Sequence, residues 1–287
     1  MMNAAAARRL RLGRISYLNV LPIYYPLDTG ILAHDFRIVS GPPARLNEMA
    51  ASGELDISAT SSIEYARHSE SYYLLPDLAI GSQGPVQSVL LLSQRPLEHL
   101  EGKTILVSSQ THTSAALLRL LLEEHLKLKA CFQSGDITAR LESGRPPAAF
   151  LAIGDEALRL RRHPSYPYSL DLGQAWQSWT GLPFIFGVWV ASAAAAEREP
   201  AALRRGCSTL VQGKEWGKKR LRFFAALMAR EGILPYAELV SYFQGLVYDL
   251  GPRELKGLRY FYQRLAERGE IDAAPELSFL SLSRIWT

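Results

Sequence analysis

Seven consecutive residues whose side chains donate or accept hydrogen bonds, Ser108, Ser109, Gln110, Thr111, His112, Thr113 and Ser114, stand between an apolar run at 105–107 and an Ala/Leu-rich run at 115–124. The first run is short, partly β-branched and preceded by Gly102, and it reads as a buried strand. The second contains neither Gly nor Pro and reads as a helix of about three turns. A strand that delivers such a loop to a helix N-terminus builds an anion site, because the first helical turn has unpaired N–H groups and a partial positive charge. Neutral hydroxyls and amides would there hold a carboxylate or phosphate. Capping of the helix by Thr113 or Ser114 is the other use of the same residues.

Loops of the same chemistry recur. Ser16 and Asn19 end an apolar stretch at 10–17, and Pro22 follows, suited to the start of a helix. Thr60, Ser61 and Ser62 follow a strand pattern at 55–59, and Ser61 with Glu64 has the spacing of a capping box. Ser88 sits in the first half of a strand pattern at 86–93, and Gly154 with Asp155 follows another at 148–153. Asp155 is either a general base or a helix cap. His112 is the other candidate base. Trp176, Trp179 and Phe184 form an aromatic run that either walls a cleft or belongs to the core.

Other chemistries lack their residues. The six histidines (34, 68, 99, 112, 125 and 163) form no His-x-x-His or His-x-x-x-His pair, so no metal site is expected. There is no GxGxxG, Walker or GxSxG pattern, and no cofactor is expected. The net charge of +4 is mild and no dense Lys/Arg stripe accompanies it, which excludes a nucleic-acid binder and leaves a small anionic ligand. Cys131 and Cys207 have no CxxC spacing and suggest a reducing compartment. The N-terminal alanine run precedes its arginines, unlike a secretory signal, and no apolar run is long enough to span a membrane; a cytoplasmic location is expected.

These loops must be positioned by alternating strands and helices. Strand patterns at 10–17, 36–39 and 55–59, each followed by a helix start, predict parallel crossovers. A second series follows at 104–107, 130–132, 148–153 and 169–172. Residues 176–187 lead into a return strand ending near 191, and residues 193–268 read as helical throughout. The expected fold is α/β and bilobal: lobe 1 from 1–93 plus 191–287 with a helical C-terminal region, lobe 2 inserted at 94–190, and a ligand cleft between them. Hinges are expected near 93–96 and 187–193.

Several segments resemble one family. Arg14, Ile15, Ser16, Tyr17, Leu18 and Asn19 with Pro22 are similar to the opening of the chorismate dehydratases of the futalosine route to menaquinone. So are Gly53 to Ile57 with Ser61 to Tyr65, Val86 to Val89, Gly154 to Leu158, and the run from Trp176 through Trp179, Thr180 and Gly181 to Phe184. Tyr242 with Phe243, and Leu258 to Tyr262, fit as well, so the resemblance covers nearly the whole chain. It implies a type II periplasmic-binding-protein-like fold used as a hydro-lyase that converts chorismate to 3-[(1-carboxyvinyl)oxy]benzoate and water without metal or cofactor. It implies catalytic roles for Asn19 and Ser88. Substrate binding would fall to Ser61, Ser62, Ser109, Thr111, Thr113, Ser114, Asp155, Trp179 and Thr180. The rivals are a solute-binding protein, a small-molecule sensor domain, and the sister 1,4-dihydroxy-6-naphthoate synthase, whose opening motif differs. Nothing in the sequence sets the oligomeric state.

Overall fold

The apolar runs pair into two sheets. The structure is a computed structural model and describes residues 9–108 and 111–282. The first series is β1 (Arg11–Ile15), α1 (Leu21–Asp28), β2 (Arg37–Gly41), α2 (Pro43–Ala51), β3 (Ile57–Ser61), α3 (Ser62–Arg67) and β4 (Tyr72–Ser82). The second is β5 (Val89–Ser93), β6 (Thr104–Val107), α4 (His112–Leu120), β7 (Cys131–Ser134), α5 (Ile137–Glu142), β8 (Ala149–Ile153), α6 (Gly154–Leu160), β9 (Tyr168–Asp171) and α7 (Leu172–Thr180). The chain then returns through β10 (Phe184–Ser192) to α8 (Ala193–Arg198), α9 (Pro200–Lys218), α10 (Leu221–Arg230), α11 (Tyr236–Gly245), β11 (Leu246–Val247) and α12 (Pro252–Glu267). No helix is long and apolar enough to cross a membrane among the described residues.

One six-stranded sheet has the order β11-β4-β10-β3-β1-β2 and one five-stranded sheet the order β7-β6-β8-β5-β9. In each, the first three strands run parallel, and the strand arriving from the other lobe lies antiparallel between the third and the fourth. Both lobes therefore direct loops that follow parallel strands toward the same space. The bilobal α/β expectation holds, but the lobe boundaries move. Residues 89–93, expected in lobe 1, pair with β8 and β9 in the second sheet, and β10 begins at Phe184 in the first. The crossovers are thus at 83–88 and 181–183, before both expected hinges. Periodicity misled here because an inserted strand is as apolar as its neighbours whichever sheet it joins.

Local chemistry shapes the elements. Asp136, Asp171 and Ser192 cap α5, α7 and α8 by accepting from the N–H groups of Ala139, Gln174 and Ala195. Ser61 sits at the N-cap of α3 without a side-chain capping bond; its Oγ accepts from Asn47 Nδ2 at 3.3 Å instead, so the expected capping box is not made. α7, with its Asp171 cap and left-handed Gly181 at its end, occupies residues that the sequence pattern treated only as a lead-in. β4 is interrupted by a bulge around Asp77, a non-glycine residue at φ +58°. Fully buried Lys214 holds it, donating to Asp77 O at 2.9 Å, Asp77 Oδ2 at 2.6 Å and Asp249 Oδ1 at 2.7 Å. Three donors meeting three acceptors is what lets an ammonium lie out of water.

Helix α1, which leads directly from the Asn19 loop, rests on α9 with almost no gap. A Cβ at Gly213 would lie 2.5 Å from Ile23 O, and one at Gly217 2.0 Å from Pro22 O. Only glycine admits that backbone approach. Gly217→Ala should therefore destabilise the protein by about 1–3 kcal/mol through overpacking, read as a Tm lower by several degrees. Gly41→Ala, whose nearest neighbour would be 3.7 Å away, is the control that should melt with wild type.

Candidate functional site

The loops that follow β1, β3, β6 and β8 meet at one cavity between the lobes. It encloses about 90 Å³ and is lined by Tyr17, Asn19, Thr60, Ser61, Ser88, Thr111, His112, Thr113, Ser114 and Gly154, with apolar walls from Ile15, Val20, Ala59, Ile80, Val86, Val89, Ile153, Phe186, Val188 and Trp189. Several water volumes by the same measure, this is room for a ring-sized solute and not for a polymer. Among the described lining residues none is Asp, Glu, Lys or Arg. An anion entering here meets hydroxyls, amides and the first turn of α4 rather than a counter-charge.

Two lining atoms are buried without a hydrogen-bond partner: Asn19 Oδ1 and Thr60 Oγ1. A buried polar atom left unpaired is destabilising, so such atoms in a cavity mark where a ligand completes the bonding. Thr60 owes its direction to β3, where it pairs with Val188 of the antiparallel β10. The short 3₁₀ turn Leu18–Val20 carries Asn19 between β1 and α1.

The lobes touch across the cavity. Ile63 N donates to Thr113 Oγ1 at 3.1 Å, and Ser62 Oγ lies 3.5 Å from the same oxygen. Leu18 N donates to Asp155 Oδ1 at 3.1 Å. The Tyr17 ring lies on Gly154, where a Cβ would stand 3.0 Å from it and where φ is +58°, so both space and conformation require glycine. Burial, reinforced by the nearby Asp155 and Glu156 carboxylates, pushes the Tyr17 phenol up to about 12 and keeps it a neutral donor. Burial also raises the pKa of Asp155, against the opposing pull of the Leu18 N–H and Arg159.

The structure brings together Asn19, Ser61, Ser88, Thr111, Thr113 and Ser114 of the expected site residues. Ser109 lies outside the described residues. Ser62 is fully buried behind the wall, against Thr113. Asp155 does not line the cavity; it lines a neighbouring polar pocket with Ser16, Ser134, Asp136, Glu156 and Arg159. Trp179 and Thr180 stand apart. Trp179 stacks on His125 and meets Trp176 edge-on, and Thr180 Oγ1 donates to Trp176 O and accepts from Leu182 N at the end of α7. They are held there by packing against α12, where Tyr260 contacts both tryptophans and Phe261 contacts Trp176. Tyr17 and Phe186 were given no site role from the sequence, and Thr60 was named with its loop but not as a site residue. Thr60 stands beside Ser61 at a strand end and carried a legible signal; Phe186 carried none, because its crossing strand was not paired with any other.

The chain is similar to known proteins along most of its length. The family model for menaquinone biosynthesis matches residues 10–267. A chorismate dehydratase of Thermus thermophilus is 32% identical over 274 residues, spanning 88% of this chain and 94% of that protein. A crystal structure of an Archaeoglobus fulgidus protein superposes with a TM-score of 0.70 at 18% identity, covering 93% of this chain and 100% of that one. The alkanesulfonate-binding protein SsuA of Xanthomonas axonopodis pv. citri superposes with a TM-score of 0.69 at 15% identity, covering 96% and 98%. These last two establish the periplasmic-binding-protein-like fold.

Thr60→Val keeps the shape of the side chain and removes the unpaired hydroxyl. It should raise stability by about 1 kcal/mol, seen as a Tm higher by a few degrees in thermal melts of the ligand-free protein. A lower Tm would show that the hydroxyl has a partner within the protein.

Proposed function

This chain belongs to the menaquinone-biosynthesis family, and from that premise we propose that it is a chorismate dehydratase acting in the cavity between its lobes. The observation that carries the reading is convergence. The loops that resemble the dehydratases, spread from Asn19 to Gly154, come together around one cavity that holds unpaired polar atoms and, among the described residues, no Asp, Glu, Lys or Arg.

Chorismate is a dianion with a ring hydroxyl. Its dehydration breaks one ring C–H and one C–O bond, forms a ring double bond and gives an aromatic product, so the driving force lies in the substrate. The protein has to orient the dianion, exclude water and stabilise charge while the proton moves. Thr111, Thr113 and Ser114 at the start of α4 hold one carboxylate, and Ser61 and Thr60 approach from the opposite lobe. The unpaired Asn19 Oδ1 is an acceptor, and the ring hydroxyl is the donor that chorismate offers it. Ser88 donates from the crossover side. Asp155 is not among the residues that line the cavity, and His112, which is, is exposed. The substrate's own enolpyruvyl carboxylate therefore takes the ring proton and passes it to the departing hydroxide, which leaves as water. Asp155, by accepting from Leu18 N, steadies the Asn19 loop.

A cytoplasmic location accords with two cysteines that are both free.

Incubation of the purified protein with chorismate should yield a product lighter by one water with benzoate-type absorbance; binding without conversion would move the protein to the solute-binding class. Asn19→Ala and Ser88→Ala should each lower kcat by about 10²-fold, the usual effect of removing one aimed hydrogen bond. Asp155→Asn, which keeps an oxygen for Leu18 N–H, and His112→Asn should both retain turnover. If either abolished turnover while leaving chorismate binding intact, a protein base would replace the substrate carboxylate in this scheme.

A further inference from the structure

Ser88 reaches the cavity on the first crossover, a segment without regular structure between β4 and β5. The residue before it, Gln87, has φ +60°, a left-handed conformation that is unfavourable for a side chain of its size. Directly opposite stands Asp171. Its Oδ1 accepts from Val86 N at 3.0 Å and its Oδ2 from Gln87 N at 2.7 Å, so two successive backbone N–H groups point at one carboxylate. The same Oδ1 accepts from Gln174 N at 3.0 Å and caps α7. A carboxylate has enough lone pairs for all three bonds, whereas a serine or an asparagine has not. The Gln87 side chain is held as well, its Nε2 donating to Ser241 Oγ at 3.2 Å.

We propose that Asp171 is a positioning residue: by binding the Val86 and Gln87 N–H groups it holds Gln87 in the left-handed conformation and so sets the direction in which Ser88 enters the cavity. The inference rests on the reading of Ser88 as a residue that acts on chorismate. It separates the two jobs of one carboxylate, since capping α7 needs a single acceptor and fixing the crossover needs two more.

Asp171→Ser distinguishes them, because serine caps a helix about as well as aspartate but cannot bridge both crossover N–H groups. The variant should fold with a Tm near that of wild type and lose at least about ten-fold in kcat, as a misdirected group does, with KM little changed. In a Ser88→Ala background the same substitution should cost nothing further. Adding Gln87→Gly to Asp171→Ser should restore activity, since glycine adopts that conformation unaided. Wild-type kcat in Asp171→Ser, or an equal loss with and without Ser88, would overturn the proposal. Amide hydrogen exchange decides it without turnover: Val86 and Gln87 should exchange faster in Asp171→Ser while Gln174 stays protected, and unchanged exchange at 86 and 87 would also overturn it. If wild type itself fails to convert chorismate, the functional reading falls and the exchange experiment still stands.

Discussion

Each sheet is completed by a strand that belongs to the other half of the chain, and the rest of the architecture follows from that constraint. β5 and β10 enter antiparallel between parallel strands, so neither lobe can close its sheet alone. The backbone at the two crossovers is packed until only glycine fits. A Cβ at Gly257 of α12 would meet Pro183 O at 2.1 Å, one at Gly173 would meet Gly84 O at 2.6 Å, and one at Gly81 would meet Phe184 O at 2.5 Å. Such contacts transmit position rather than absorb it, because close-packed interiors do not compress. Loops carried by the parallel strands are thereby fixed relative to one another across the cleft, and the cavity takes its shape from the crossovers more than from its own walls.

The cavity that is proposed to take a dianion is lined by no Asp, Glu, Lys or Arg among the described residues. A buried cation beside a carboxylate ligand would bind substrate and product alike, and uniform binding does not lower the barrier. Hydroxyls and helix N–H groups are already oriented before the ligand arrives, which is the form of electrostatic stabilisation that needs no reorganisation. The unpaired Asn19 Oδ1 and Thr60 Oγ1 show that stability is given up to keep donors and acceptors available.

Most of the fold was legible from periodicity. The strand at 104–107 and the helix starts at Pro22, Pro42 and Gly154 follow from local chemistry, and local chemistry is what a sequence displays. What was not legible was long-range. Residues 89–92 are apolar and, with Ser93, buried on both faces, a pattern that says "inside a sheet" without saying which sheet. The site divides in the same way. Hydroxyl-rich loops at strand ends pointed to Asn19, Ser61, Ser88 and Thr113. The aromatic run at 176–184 shows the same residue types whether it faces ligand or core, and contact with Tyr260 and Phe261 decides for the core at Trp176 and Trp179. Asp171 was read only as part of a strand, because its partners at 86 and 87 lie more than eighty residues away.

Charge is not scarce in this protein, and part of it stands on the seams between the lobes. Arg264 pairs with Glu124, and Arg268 with Glu123 at 2.7 Å, tying α12 to the π-helical turn Leu121–His125 that extends α4. Arg161 and Arg162 meet Glu238, joining the end of α6 to α11. Tyr262 OH donates to Ser62 O at 2.6 Å, adding a neutral link from α12 to the wall behind Thr113. These partly exposed pairs contribute little to stability singly, but each spans elements of different lobes, so their effect falls on lobe orientation. Helices α11 and α12 are thus tied to the second lobe by charged pairs. The lobes are also joined at the cavity, where Leu18 N donates to the Asp155 carboxylate and Ile63 N to Thr113 Oγ1, so the loops that line it are held at one spacing from both lobes, which is what positioning a substrate demands.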